Sequence, residues 1–240
     1  VVGNLSVGGT GKTPQIEYLI RLLKDTYNVS VLSRGYKRKT KGFVLVNKNH
    51  TANDVGDEPL QYFKKFTNIN VVVDEKRVAG IANLIVQKSP EVVLLDDAFQ
   101  HRKVKGSFYI LLTKYDDLFT DDFLLPTGNL RESRVGAKRA DIIVVTKCPS
   151  NLNKEEKERI EKKLQKFNKQ VFFTMISYAD KISGSQEISL IELKKFEVLL
   201  ITGIANPSPL LEFLSKKDIK FIHLKYADHH HFSSKEIEVI

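Results

Sequence analysis

The sequence predicts an α/β fold: an α/β/α sandwich on a mostly parallel sheet, followed by a second, smaller α/β domain. Three observations carry this. Short apolar runs of strand length alternate with segments whose apolar residues recur at helical spacing, the order that builds parallel sheets. A glycine-rich segment, Ser6-Val7-Gly8-Gly9-Thr10-Gly11-Lys12-Thr13, stands between the first apolar run (Val1, Val2) and an amphipathic run that begins at Ile16. Val92-Val93-Leu94-Leu95 ends in two acids, Asp96 and Asp97.

The glycine-rich segment reads as a phosphate-binding loop between a strand and a helix, so the sandwich is of the P-loop NTPase type. Without a Cβ at Gly8, Gly9 and Gly11 the backbone can wrap an anion and aim successive N–H groups at it, and the helix N-terminus adds its partial positive charge. Lys12 is placed to reach the β- and γ-phosphates and Thr13 to ligate Mg²⁺. The loop departs from G-x-x-x-x-G-K-[ST] at its first position, Ser6. Pro14 falls in the first helical turn, where no N–H is needed.

Ile16, Leu19, Ile20 and Leu23 repeat at helical spacing, and Val29 to Ser33 follows as a buried strand. Arg34-Gly35-Tyr36-Lys37-Arg38 then lies at that strand's carboxyl end, the edge where parallel α/β sheets bind ligands. This basic turn either holds phosphate or is simply solvated. Phe43 to Val46 is a strand, and Asp57-Glu58-Pro59 precedes a helical segment, Leu60 to Phe66, for which Asp57 is a ready N-cap. Asn70 to Val73 is a strand, after which Val78, Ile81, Ala82 and Ile85 form a helix's expected buried face.

The Val92 to Leu95 strand supplies the second half of a phosphate-loop site. A carboxylate at its tip, Asp96, lies beside the loop and holds Mg²⁺ directly or through water, while Asp97 repels it unless a cation lies between them. Gln100 and His101 continue the segment with polar groups for the same cleft. Ser107 to Leu112 is a strand, and Tyr115 to Leu125, with four aspartates and exposed-looking Phe119, Phe123, Leu124 and Leu125, has the composition of a mobile flap. Beyond it Arg131 can clamp a phosphoryl group from the side opposite Lys12.

Ile142 to Thr146 is a core strand ending in Thr146-Lys147-Cys148-Pro149. GTP-binding proteins carry [NT]-K-x-D at a similar place; here Pro149 replaces the guanine-reading acid. The stretch 154–169 is a charged helix with an Ile160, Leu164 and Phe167 stripe, and Val171 to Met175 closes the first domain. The polar stretch Tyr178 to Glu187 reads as a linker, giving domains 1–182, nucleotide-binding, and 183–240, a βαβ unit ending at Asp228-His229-His230-His231. Consecutive histidines on an extended segment face alternate sides, which disfavours a shared metal and leaves a single functional histidine.

Composition bounds the rest. With 240 residues, 42% of them hydrophobic, the chain can build a substantial core. It contains no apolar run of about eighteen residues and opens with no signal peptide. One cysteine, Cys148, excludes a disulfide framework and fits a reducing, cytoplasmic setting. The net charge of +9 suits an anionic partner, though much of it lies on the charged helix, and no aromatic-interleaved basic stripe points to nucleic acid. No obligate protein partner is expected. The loop's nearness to Val1 and the apolar pattern that breaks off at Ile240 lead us to expect a longer natural chain.

Several segments together resemble one family, the tetraacyldisaccharide 4′-kinases of lipid A biosynthesis. They are Gly3 to Pro14, Ser33-Arg34-Gly35-Tyr36, Val55-Gly56-Asp57-Glu58-Pro59, Asp96-Asp97-Ala98-Phe99-Gln100-His101-Arg102, Leu130-Arg131-Glu132 and Asp228-His229-His230. The non-Gly first loop position is usual in that family, whereas Ala98 stands where Gly is frequent. The resemblance implies two α/β domains across a cleft and a membrane-associated helix ahead of Val1. It implies ATP-dependent phosphorylation of the 4′-hydroxyl of a tetraacylated glucosamine disaccharide 1-phosphate, giving lipid IVA, at the cytoplasmic face of the inner membrane with peripheral membrane contact. In this reading Ser6 to Thr13 hold ATP, and Thr13, Asp96 and Asp97 hold Mg²⁺. Asp57 and His229 act on the acceptor hydroxyl, and Lys12 and Arg131 assist transfer. Arg34, Glu58, Arg77, Gln100 and His101 line the substrate site. The competing reading is a phosphate-loop regulatory or metallochaperone NTPase in which His229 to His231 carry metal.

Overall fold

The computed structural model describes residues 1–240 apart from Ala205, His229, His231 and Ile240, and of Ser234 and Val239 only the backbone. It divides into two units, Val1–Ile176 and Ser177–Ile240.

In the first unit the loop joins β1 (Val2–Asn4) to α1 (Lys12–Leu23), and β2 (Val29–Ser33) follows. A short β3 (Val44–Leu45) and α2 (Ala52–Val55) lead to α3 (Asp57–Lys65), β4 (Asn70–Val73), α4 (Arg77–Lys88) and β5 (Val92–Leu95). Then come β6 (Ile110–Lys114), β7 (Ile142–Thr146), α5 (Lys154–Leu164) and β8 (Gln170–Phe173). Two ladders, β3-β4-β2-β5 and β1-β6-β7-β8, meet at a parallel bridge between Val2 and Asp96. Only the edge strand β3 runs antiparallel.

Burial on both faces explains why these strands are apolar throughout rather than alternating. Val31, Val71, Val73, Leu94, Leu112 and Val144 face one side, where they pack with Ile16 and Ile20 of α1 and Tyr62 of α3. Leu32, Val72 and Leu95 face the other side with Leu84 of α4, and there Leu111, Ile143 and Val145 meet Ile160 and Leu164 of α5. The α/β/α sandwich expected from the sequence is the observed architecture.

α1 and α3 are also joined through a buried acid. Glu17, 4% exposed, accepts hydrogen bonds from Gln61 (2.8 Å) and from Lys65 (2.5 Å) of α3, and pairs with Arg21 at 3.4 Å. A carboxylate this deep is tolerable because cations and an amide satisfy it.

Two expectations need correction. α4 buries Arg77, Gly80 and Leu84, whereas Val78 and Ile85 are 54% and 53% exposed. Gly80 causes the rotation: a Cβ there would lie 2.9 Å from Asp74 Cβ and 3.2 Å from Leu32, so the helix seats on its smallest residue. In the segment expected to be a flap, Leu118 and Phe119 are buried, Phe119 packing on Phe167 at 5.3 Å. Of its exposed-looking apolar residues, Phe123, Leu124 and Leu125 are exposed. The segment's return is fastened to the loop, with Val7 N–H donating to Asn129 O and Arg131 N–H to Leu5 O, both at 2.7 Å.

The second unit pairs β9 (Lys181–Ile182) with β10 (Ile188–Ser189) as an antiparallel hairpin, followed by α6 (Leu190–Leu193). A βαβ unit then comprises β11 (Val198–Thr202), α7 (Ser208–Lys216) and β12 (Phe221–Lys225), with α8 (Ser234–Val239) last. Leu190, Leu193, Leu214 and Ile219 form its core. The boundary between the units falls at 176/177 rather than 182/183, because the stretch read as a linker contains β9 and the start of the hairpin.

Candidate active site

The carboxyl ends of the parallel strands gather most of the candidate residues at one edge of the sheet. The loop leaves β1 there, Arg34 follows β2, and Asp96 follows β5. Gly11 adopts φ 82° as the residue that opens α1, a left-handed conformation that glycine takes without strain. Ser6 is buried and bridges Leu130, Val7 is 42% exposed, and Gly8 has open space where a Cβ would lie. Thr10 is buried, and its hydroxyl has no partner among the described residues.

Asp96 and Asp97 are adjacent in sequence yet occupy different surroundings, because Asp97 adopts φ 45°. Asp97 turns outward to Lys12, whose Nζ lies 3.7 Å away, and to Arg131, whose guanidinium donates to both oxygens at 3.0 and 3.3 Å. Burial opposes ionisation, but the Arg131 hydrogen bond and the Lys12 and Arg131 charges hold Asp97 below its ordinary range. Asp96 turns inward, 5% exposed, and accepts a hydrogen bond from the Tyr62 hydroxyl at 3.2 Å. Burial, with the charges of Asp97 and Glu58, pushes Asp96 up to about 6 against the opposing charge of Lys12. Thr13 lies close enough to the Tyr62 hydroxyl to act on its ionisation, so one buried phenol stands beside two of the three expected Mg²⁺ ligands.

The start of α3 lies at the same edge. Gly56, at φ 93°, packs so closely on Gly35 that a Cβ would come within 3.2 Å of its backbone, which brings the Arg34 turn against the Asp57 segment. The N-cap of α3 is Gly56, not Asp57 as the sequence suggested; Asp57 is the first helical residue and exposed. With Ala52, Leu60, Gln61, Lys64 and Lys65 it lines a shallow, open depression of the surface.

Arg77 lies beneath the site, 3% exposed, donating to the carbonyls of Asp74 (2.6 Å) and Asp96 (3.2 Å). Partial burial and the charges of Arg77, Lys103 and Arg34 lower the pKa of His101, which marks a cationic rim beside the two acids. Gln100 donates to Asn4 O at 2.7 Å and to Glu132 at 3.0 Å. His229 lies outside the described residues, as does His231; His230 bonds Glu236 at 2.9 Å and stacks on Tyr226. Among the described residues no group of three His, Cys, Asp or Glu could hold a metal.

A family model described as LpxK, tetraacyldisaccharide-1-P 4′-kinase, matches residues 1–240. The chain belongs to the tetraacyldisaccharide 4′-kinase family. The expectation of a kinase, a phosphotransferase of lipid A biosynthesis, therefore stands over the metallochaperone reading. The tetraacyldisaccharide 4′-kinase of Flavobacterium johnsoniae is 56% identical over 242 residues, which cover all of this chain and 71% of that protein. That of Bacteroides thetaiotaomicron is 47% identical over 253 residues, covering 100% and 67%. A crystal structure of LpxK from Aquifex aeolicus, described as an "apo" form in complex with ATP, matches with a TM-score of 0.79 at 34% identity over 97% of this chain and 72% of that one.

Sequence reasoning missed two residues of this kinase-family site. Asn4 is fully buried at the end of β1, where its Oδ1 accepts from Arg131 and, at 3.5 Å, from Lys12. Tyr62 reads in sequence as an ordinary core aromatic. The signal for Asn4 was an amide in an otherwise apolar strand; for Tyr62 it was the i,i+4 spacing from Glu58, which puts both on one face of α3.

The buried Asp96 leads to a measurable pH dependence. Its folded pKa near 6 exceeds the unfolded carboxylate value, so its contribution to stability is greatest below about pH 4 and is lost as pH rises through about 6. The shift is worth on the order of 3 kcal/mol. In chelator-treated protein, Asp96→Asn should reduce the fall in Tm between about pH 5 and about pH 7.5. Equal falls in the two proteins would refute the assignment.

Proposed function

We propose that the chain transfers the γ-phosphoryl group of ATP to the 4′-hydroxyl of a tetraacylated glucosamine disaccharide 1-phosphate. The observation that carries this reading is the convergence on one sheet edge of the phosphate loop, the Asp96 and Asp97 pair, and the start of α3. Glu58 lies close enough to raise the Asp96 pKa, so the helix that begins with Asp57 starts beside the phosphate site. The ATP complex of the Aquifex relative and the family match support the choice of nucleotide.

Asp57 accepts the proton of the 4′-hydroxyl as its oxygen bonds to the γ-phosphorus. The bond from that phosphorus to the β–γ bridging oxygen breaks, and ADP leaves. Lys12 and Arg131 stabilise the charge that builds on the phosphoryl oxygens, the dominant form of catalysis in this chemistry. Thr13 and Asp96, hard oxygen donors on either side of the Tyr62 hydroxyl, which bonds Asp96, fit Mg²⁺: a desolvated carboxylate gains most from a cation beside it. When bound, Mg²⁺ neutralises charge on the transferring phosphate. In this reading Gln100, His101 and Arg34 serve the acceptor, while Arg77 braces the floor.

Contact with the inner-membrane surface on its cytoplasmic side belongs to the same proposal. Phe123, Leu124 and Leu125 form an exposed apolar tip, Arg134 lies over the Phe123 ring at 5.5 Å, and the chain carries a net charge of +9. Among the described residues no helix is long and apolar enough to cross a membrane. One assay tests both parts: ATP turnover by protein mixed with anionic vesicles, with and without the disaccharide acceptor. Acceptor- and Mg²⁺-dependent phosphate transfer with protein sedimenting on the vesicles is expected. ATP hydrolysis indifferent to the acceptor would refute the kinase reading, and protein left in the supernatant would refute membrane contact.

A further inference from the structure

The face of α3 that runs down from the proposed base has no part in the mechanism above. Asp57, Leu60, Gln61, Lys64 and Lys65 are spaced as one face of a helix requires, and with Ala52 of α2 they line the open depression already described. Leu60 and Ala52 are half-buried and give it apolar ground, while Asp57, Gln61, Lys64 and Lys65 are exposed around them. The depression is thus acidic at the head of the helix and basic at its last turn.

The two lysines stand differently. Lys65 is neutralised, its ammonium bonding the buried Glu17 at 2.5 Å. Lys64 forms no ion pair or hydrogen bond among the described residues, so its charge is open to an anion lying along the helix. A compact ammonium on a flexible stem meets a phosphate as a point charge.

Length decides which anion. Lys64 follows Asp57 by seven residues, close to two turns, which places it on the same face about 10 Å along the axis. Two linked sugar rings span a similar length, and the reach of the lysine stem absorbs the difference. The acceptor proposed above carries its reacting hydroxyl at one end of such a disaccharide and a phosphate at the other. With the hydroxyl at Asp57, a disaccharide laid along α3 sets its C–H faces against Leu60 and Ala52 and brings its phosphate to Lys64.

We infer that Lys64 binds the 1-phosphate of the acceptor, so that α3 measures the disaccharide from the base in its first turn to a cation in its last. The inference rests on the acceptor reading above and gives it a physical selector. A phosphorylated monosaccharide is too short to reach both ends, and an unphosphorylated disaccharide leaves Lys64 without an anion. A lysine in a last turn also complements the helix dipole, but that role is indifferent to the acceptor's phosphate.

Steady-state kinetics at saturating ATP and Mg²⁺, with the 1-phosphate acceptor and its 1-hydroxyl counterpart, test it. Micelles of neutral detergent keep anionic lipid out of the comparison. Alanine is a good helix former at an exposed position, so Lys64→Ala should fold as the parent does. It should lower kcat/KM for the 1-phosphate acceptor about tenfold, chiefly through KM, the scale of one hydrogen bond from a charged donor. Turnover of the 1-hydroxyl acceptor and the KM for ATP should stay within about twofold of the parent, because neither ligand places a phosphate at Lys64. Lys64→Arg, which keeps the charge, should retain most of the preference for the phosphorylated acceptor. Equal losses with both acceptors, as a structural or dipole role requires, or no loss with the 1-phosphate acceptor, overturn the assignment. A parent protein that phosphorylates neither acceptor would instead overturn the acceptor reading, and this inference with it.

Discussion

Lys12→Ala should keep the fold and lose about 10³-fold or more of kcat. Phosphoryl transfer depends on positioning and charge neutralisation, and a missing ammonium at the β- and γ-phosphates raises the barrier by several kcal/mol, roughly 4 for each 10³-fold. The fold should survive because Asp97, which faces Lys12 at 3.7 Å, keeps its two hydrogen bonds from Arg131. Circular dichroism and thermal melting check the first claim, and single-turnover kinetics at saturating ATP the second. Turnover near the parent's would remove Lys12 from the chemistry and with it the assignment of this edge as the active site.

The second large effect is expected at Asp57. A sugar hydroxyl is a weak nucleophile at neutral pH, and a base that takes its proton as the new bond forms contributes typically 10² to 10⁴-fold. Asp57→Asn preserves shape and polarity, and because Gly56 is the N-cap of α3, helix initiation does not depend on the carboxylate as a cap. The variant should fold, bind ATP with about the parent's affinity and lose on the order of 10²-fold or more in kcat. An active Asp57→Asn protein would make the residue structural and leave the proton acceptor to be found elsewhere.

The fold class was legible because parallel strands covered on both faces leave unbroken apolar runs, as Val71 to Val73 and Val92 to Leu95 do. The phosphate loop was legible because its glycines, Lys12 and Thr13 are contiguous. What stayed hidden depends on contacts between distant segments. The face of α4 is chosen by Gly80 against Leu32 and Asp74, a matter of one missing Cβ that apolar periodicity does not register. Phe119 reads as exposed among four aspartates, yet Phe167, far along the chain, covers it. The different surroundings of Asp96 and Asp97 follow from one left-handed backbone angle, which no residue type announces when the residue is not glycine. Tyr62 looks like core filling until α3 is laid against β5.

The buried Glu17 has a mechanical consequence. Thr13 lies one helical turn before Glu17 on α1, and Asp57 one turn before Gln61 on α3, so the Glu17 to Gln61 bond closes a bracket between the helix that starts at the nucleotide and the one that starts at the proposed base. Lys65 bonds the same carboxylate one turn further along. The tie predicts that α1 and α3 rock as one, so that the proposed nucleotide site and the proposed base keep their separation. Since an error of about 1 Å in that gap costs on the order of 10²-fold in rate, the proposed chemistry would depend on a carboxylate remote from the reacting atoms to gauge their spacing.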